Sequence, residues 1–133
     1  MKRALSAIAI TCLCSACISH PAQYQRLTVS IENNAPCFCF PQDSGLTYPI
    51  TVYPPTVMKQ EGEQWKAISS PGFNTPVVLL NPGACHQWRE ITWLAGEYDV
   101  VLKAKDKNGA IRYAARFELQ EETGGQRRIR QNE

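Results

Sequence analysis

Leu27, Val29 and Ile31 alternate with Thr28, Ser30 and Glu32, the period of two that sets apolar side chains on one face of a half-buried strand. Cys37-Phe38-Cys39-Phe40 is a short apolar run stopped by Pro41, and Ile50 and Val52 alternate before Pro54 and Pro55 close their run. Residues 65–68 and 77–80 predict two more short strands, each bounded by Gly, Pro or Asn. The longest pattern comes last. Tyr98, Val100, Leu102 and Ala104 occupy alternate positions, and Ile111, Tyr113, Ala115, Phe117 and Leu119 resume the alternation after Asn108-Gly109. Asn-Gly supplies the positive φ angles of a type I′ turn, so this segment predicts a hairpin. No stretch beyond residue 17 carries a helical period.

Short strands at this spacing predict an all-β fold, a two-sheet antiparallel β-sandwich. Tyr98 stands at the start of a late strand, two residues after Gly96. That is the placement of a tyrosine corner, and it points to the immunoglobulin-like form of the sandwich. Trp65 is expected in the core, packed on a disulfide as sandwiches pack a Trp. The longest loops are expected at 53–64 and 70–76, where Phe73 stands among turn formers, while Trp88 and Trp93 flank Arg89-Glu90-Ile91-Thr92. Phe73, Trp88 and Trp93 are therefore the candidate aromatic anchors for a protein partner.

The N-terminus changes the compartment. Lys2 and Arg3 precede an apolar run from Ala4 to Leu13, and Ser15-Ala16-Cys17 follows. The basic start and short apolar run predict a secretory signal, too short to span a bilayer as a helix. Cysteine directly after Ser-Ala is the pattern of a bacterial lipobox, which predicts a signal peptide at 1–16 and lipid attachment at Cys17. Ile18, rather than Asp, follows that cysteine, which places the anchored protein on the periplasmic face of the outer membrane. The expected organisation is a lipidated tether at 17–25, a β-sandwich domain at 26–120 and a flexible C-terminal tail at 121–133, where glycines mix with charges.

Without the signal, the charge and cysteine counts change. The chain has 14 Lys and Arg against 12 Asp and Glu, and Lys2 and Arg3 are the whole excess. A balanced remainder carries no electrostatic footprint for nucleic acid. Of six cysteines, Cys37, Cys39 and Cys85 remain past the lipidated position. Three thiols in an oxidising compartment predict one bridge, from the Cys37/Cys39 strand to Cys85. Cys37 and Cys39 lie two apart on one strand and share a face, so spacing leaves either as the partner. Closing a loop of that length contributes roughly 4 kcal/mol on the chain-entropy model.

Catalytic motifs are not present: there is no GxSxG, HExxH or phosphate loop, and no CxxC past Cys17. Cys37, Cys39, Cys85 and His86 do not follow a standard zinc-ligand spacing, and Cys85 and His86, adjacent on a strand, point to opposite faces. The sequence thus predicts no enzyme, no metal, no cofactor and no small-molecule substrate.

Several segments together resemble a known family. Val29-x-Ile31-x-Asn33 leads to Cys37-Phe38 near Pro41; Pro82-Gly83-Ala84-Cys85 precedes Trp88; Gly96-Glu97-Tyr98-Asp99-Val100 and Tyr113-x-Ala115-x-Phe117 follow. With the lipoprotein signal, this resembles the small periplasmic lipoproteins assigned to type VI secretion immunity. The resemblance implies a protein that binds and neutralises a toxin acting in the periplasm, with membrane contact only through its lipid. It also implies Cys37–Cys85 as the favoured bridge, because the family's first core cysteine precedes Phe. The alternative class is a structural or chaperone-like envelope lipoprotein docking on an outer-membrane assembly.

Overall fold

The alternation over 98–119 folds as a long hairpin, the spine of the molecule. The computed structural model describes residues 24–43, 45–68 and 74–131, so Cys17 and Phe73 lie outside the described residues. Eleven strands and no helix are found among those residues: β1 Tyr24–Arg26, β2 Thr28–Glu32, β3 Ala35–Cys39, β4 Ile50–Val52, β5 Thr56–Glu61 and β6 Gln64–Ile68. They continue as β7 Val77–Leu79, β8 Cys85–His86, β9 Gly96–Asp106, β10 Gly109–Glu121 and β11 Arg127–Gln131. The protein is all-β.

β9 and β10 pair antiparallel from Gly109 opposite Asp106 to Leu119 opposite Gly96. Around this hairpin the larger sheet adds β1 and β11 on β10, and β4 and the β5–β6 hairpin on β9, with β7 beyond β4. β2, β3 and β8 form a second, three-stranded sheet. The apolar faces of the two sheets meet in one core. Phe38 of β3 lies against Phe117 of β10, ring centres 5.7 Å apart, and Phe40 meets Tyr113 edge to face at 5.0 Å. Such aromatic pairs add about 0.5–1.5 kcal/mol each beyond the area they bury. Tyr98, Val100, Leu102 and Ala104 are all buried on the inward face of β9, as their alternation requires.

The turns differ from expectation in an instructive way. The β9–β10 loop is Lys107-Asn108, and neither residue has positive φ; Gly109 alone does, at 141°. Instead of a type I′ backbone, the Asp106 carboxylate holds the turn, its Oδ1 accepting from the amides of Asn108 at 2.8 Å and Gly109 at 3.1 Å. The positive-φ pair occurs in the β2–β3 loop, where Asn33 and Asn34 have φ of 51° and 62°, the values a type I′ turn needs at both central positions.

Three expected boundaries move. Tyr24–Arg26 pairs in parallel with β10, so the domain starts before residue 26. Residues 56–61, expected within a loop, are β5, paired with both β6 and β9. Arg127–Gln131, expected in a flexible tail, pairs with β10 from Gln131 opposite Phe117 to Arg127 opposite Glu121. Ile129 supplies the single inward apolar side chain of β11, while Arg128 and Arg130 meet Glu122 and Glu118 at 2.9 and 2.8 Å. Glycines and charges here make a turn and a laddered edge strand.

Candidate functional site

The second sheet presents its outer face at an open cleft of about 710 Å³. Period-two alternation builds it. Phe38 is turned into the core, so Cys37 and Cys39 face outward on β3. Cys85 stands directly opposite Cys39 in the β3–β8 ladder, and the two form the disulfide. This corrects the favoured Cys37–Cys85 pairing: Cys39 is the partner. β8 is only two residues long and its Cys85 is in register with Cys39, leaving Cys37 displaced two places along β3. Register decided what spacing left open.

Cys37 is a free, buried thiol in the cleft wall. Burial pushes its pKa up and the Glu32 carboxylate adds to this, while the Phe38 amide and Arg89 pull it down. The thiol stays protonated and therefore poorly nucleophilic. His86 is opposite Phe38 in the ladder, and its ring packs edge to face on Trp88 at 4.9 Å. Burial lowers its pKa, with Glu90 opposing, so it tends toward the neutral form. Cys85 is bridged and His86 turns toward the core side, so the two do not form a nucleophile–base pair. Among the described residues no group of three His, Cys, Asp or Glu side chains converges to hold a metal ion.

The rim is polar and held in place. Gln87 Nε2 donates to the carbonyls of Glu32 at 2.6 Å and Ala35 at 3.1 Å, pinning both ends of the Asn33-Asn34 turn. Gln87 Oε1 accepts from Arg89 at 3.0 Å, which positions that guanidinium over the cleft. On the far wall Gly83 has φ of 78°, and a Cβ there would meet the Gln42 side chain at 2.7 Å. Glu32, Asn33, Gln87 and Arg89 thus give the cleft one carboxylate, one guanidinium and two amides on a bridge-stapled sheet. Such groups can recognise a partner through hydrogen bonds and charge.

The tryptophans are placed differently from expectation. Trp88 and Trp93 are 3% and 5% exposed, too buried to anchor a partner. Both pack on Phe38, and Trp93 Nε1 donates to the Trp88 carbonyl at 3.1 Å; the segment between β8 and β9 caps one end of the core with them. Their clustering around Ile91, itself buried, was the available sign of an inward turn. Trp65, expected in the core beside the bridge, is half-buried on the larger sheet, with the Arg116 guanidinium 5.0 Å over its ring. The residues that sequence reasoning passed over are Glu32, Gln87 and Arg89; single polar side chains in loops and strand ends carry no periodic signal.

Comparison with protein-family models, with curated proteins and with solved structures finds no match to this chain.

Proposed function

We propose that this chain is a lipid-anchored periplasmic protein that neutralises a type VI secretion toxin by stoichiometric binding, and that the cleft over Cys39–Cys85 is its contact surface. The observation that carries the reading is the bridge itself. A disulfide joining adjacent strands beneath a polar cleft suits a protein that folds in an oxidising compartment and binds through a rigid surface. The lipobox-like Ser15-Ala16-Cys17 and the family resemblance supply the anchor at Cys17, the periplasmic face of the outer membrane and the class of partner. Tyr98 supports the immunoglobulin-like form of the sandwich: its hydroxyl donates to the Leu94 carbonyl at 2.6 Å, four residues upstream, as a tyrosine corner does.

In this reading the lipid places the domain, and Glu32 and Arg89 supply opposite charges at the rim that select a complementary partner. The test is survival. The toxin encoded beside this chain is expressed in the periplasm with and without it. Survival that requires the exported chain, and that Arg89→Glu with Glu32→Lys abolishes, supports the reading. Equal survival in both cases, with no complex recovered, replaces it with the envelope-component alternative.

A further inference from the structure

Along β9, β10 and β11 the cations fall into two groups. Arg116, Arg127, Arg128 and Arg130 each meet a carboxylate of Asp99, Glu121, Glu122 or Glu118. At the other end, around the β9–β10 turn, Lys103, Lys105, Lys107 and Arg112 are all exposed, and among the described residues none of them meets a carboxylate within ion-pair distance. Lys103 and Arg112 are direct cross-strand partners, a like-charge pairing that costs stability unless something else meets the charge. The nearest carboxylate in the turn, Asp106, is only 8% exposed and accepts amide hydrogen bonds from Thr47, Asn108 and Gly109. It is directed inward, away from the basic face.

Two tyrosines share this face. Tyr53 lies under Lys103, whose Nζ is 4.8 Å from the ring centre, and Tyr24 is the partner of Arg112 in the β1–β10 ladder. Cations beside half-buried tyrosines are the side-chain set that suits a headgroup layer, where the phenol meets water and the ring meets apolar material. The first described strand also begins here. Tyr24 is the first residue of β1, and because β1 runs parallel to β10 its start lies at the turn end of the hairpin. Six residues lie between Cys17 and Tyr24, and the seven steps from one to the other reach at most about 25 Å when fully extended.

We infer that the β9–β10 turn end, through Lys103, Lys105, Lys107 and Arg112, is a docking surface for a bilayer rich in anionic phospholipid headgroups. The inference rests on the anchoring proposed at Cys17 for bringing this end to a membrane, while the charge pattern stands apart from it. With the turn end on the bilayer, the sheet is held in a fixed attitude rather than swinging on its tether. Electrostatic attraction acts within about 8 Å at physiological salt, so the basic end must touch the surface to contribute.

The test uses the full-length Cys17→Ser chain, so acylation is not needed for the outcome. It is sedimented with vesicles of phosphatidylglycerol and phosphatidylethanolamine, and in parallel with phosphatidylcholine alone. The N-terminal run, with Lys2 and Arg3, is the same in every variant, so the difference between the variants on anionic vesicles reads the surface. Each basic side chain at an anionic surface is worth about fivefold in binding. Lys103→Glu, Lys105→Glu and Arg112→Glu together are therefore expected to cut binding to the anionic vesicles about a hundredfold. The charge-matched control, Lys66→Glu, Arg128→Glu and Arg130→Glu, is expected to change it far less. Raising the salt from about 50 to about 300 mM should erase the preference of the unmutated surface, a readout that needs no substitution. Equal binding to both vesicles, or equal loss in the two triple variants, overturns the inference. So does stronger binding to polyglutamate than to the anionic vesicles, which would assign the surface to an acidic protein. Failure of Cys17 acylation would show separately, as absent incorporation of labelled fatty acid.

Discussion

The side chain of Gln131 accepts a hydrogen bond from the backbone amide of Val29 at 3.0 Å, across 102 residues of chain. Its Nε2 also donates to the Leu27 carbonyl at 2.5 Å. One side-chain amide thus makes the pair of contacts that a neighbouring strand would make, joining β11 of the larger sheet to β2 of the smaller one.

Gln131→Ala leaves the Leu27 carbonyl and the Val29 amide without that partner and is expected to destabilise the fold by about 1–2 kcal/mol. For a domain of this size the melting temperature should fall by roughly 5–10 °C. Gln131→Glu should be worse, because a carboxylate cannot donate to the Leu27 carbonyl. Thermal unfolding followed by circular dichroism checks both variants.

Tyr98→Phe removes the hydroxyl that binds Leu94 through both its carbonyl and its amide. The ring contacts with Trp93 and Phe117 stay. The expected cost is about 1–2 kcal/mol, set by the lost hydrogen bonds and not by packing. Denaturant midpoints with an unchanged slope would show it.

How much of this was legible in the sequence depends on the kind of signal. Period two placed the inward residues of β9 and β10 correctly, because burial enforces alternation, although β9 begins at Gly96, two residues before Tyr98. The turn chemistry was misassigned: Asn108-Gly109 looked like a type I′ pair, but the carboxylate of Asp106 binds the turn amides and Asn33-Asn34 carries the positive φ angles. β11 was hidden because its stability comes from long-range partners, Gln131 on β2 and arginines on β10 glutamates, with only Ile129 apolar. Cleft residues such as Gln87 were equally hidden, since their role arises from a turn 50 or more residues earlier in the chain.

The bridge gives an asymmetric pair of variants. Cys39→Ala opens a link between residues 46 apart and should cost about 4 kcal/mol on the chain-entropy model. Cys37→Ala should leave the disulfide intact. In the unmutated protein, non-reducing peptide mapping should recover Cys39 with Cys85, and Cys37 should react with an alkylating reagent only after unfolding.

Asp106 sets an acid limit. Hydrogen bonds from the amides of Thr47, Asn108 and Gly109 hold its pKa below the usual value of 3.8. Its contribution is therefore fully present above the unfolded pKa and is lost as the pH falls through the lower folded value. Asp106→Asn is expected to lower stability at neutral pH and to flatten the loss below about pH 4. Equilibrium unfolding between about pH 2 and 7 reads the difference.

On the proposed function, this chain acts by binding through the cleft over Cys39–Cys85. Calorimetric titration of the chain with the purified product of the neighbouring gene tests the proposed binding. The expected result is saturation at a fixed ratio, loss of the heat with Arg89→Glu and Glu32→Lys together, and no change with Lys66→Glu. No detectable heat with the unmutated chain, or full binding by the double variant, would contradict it.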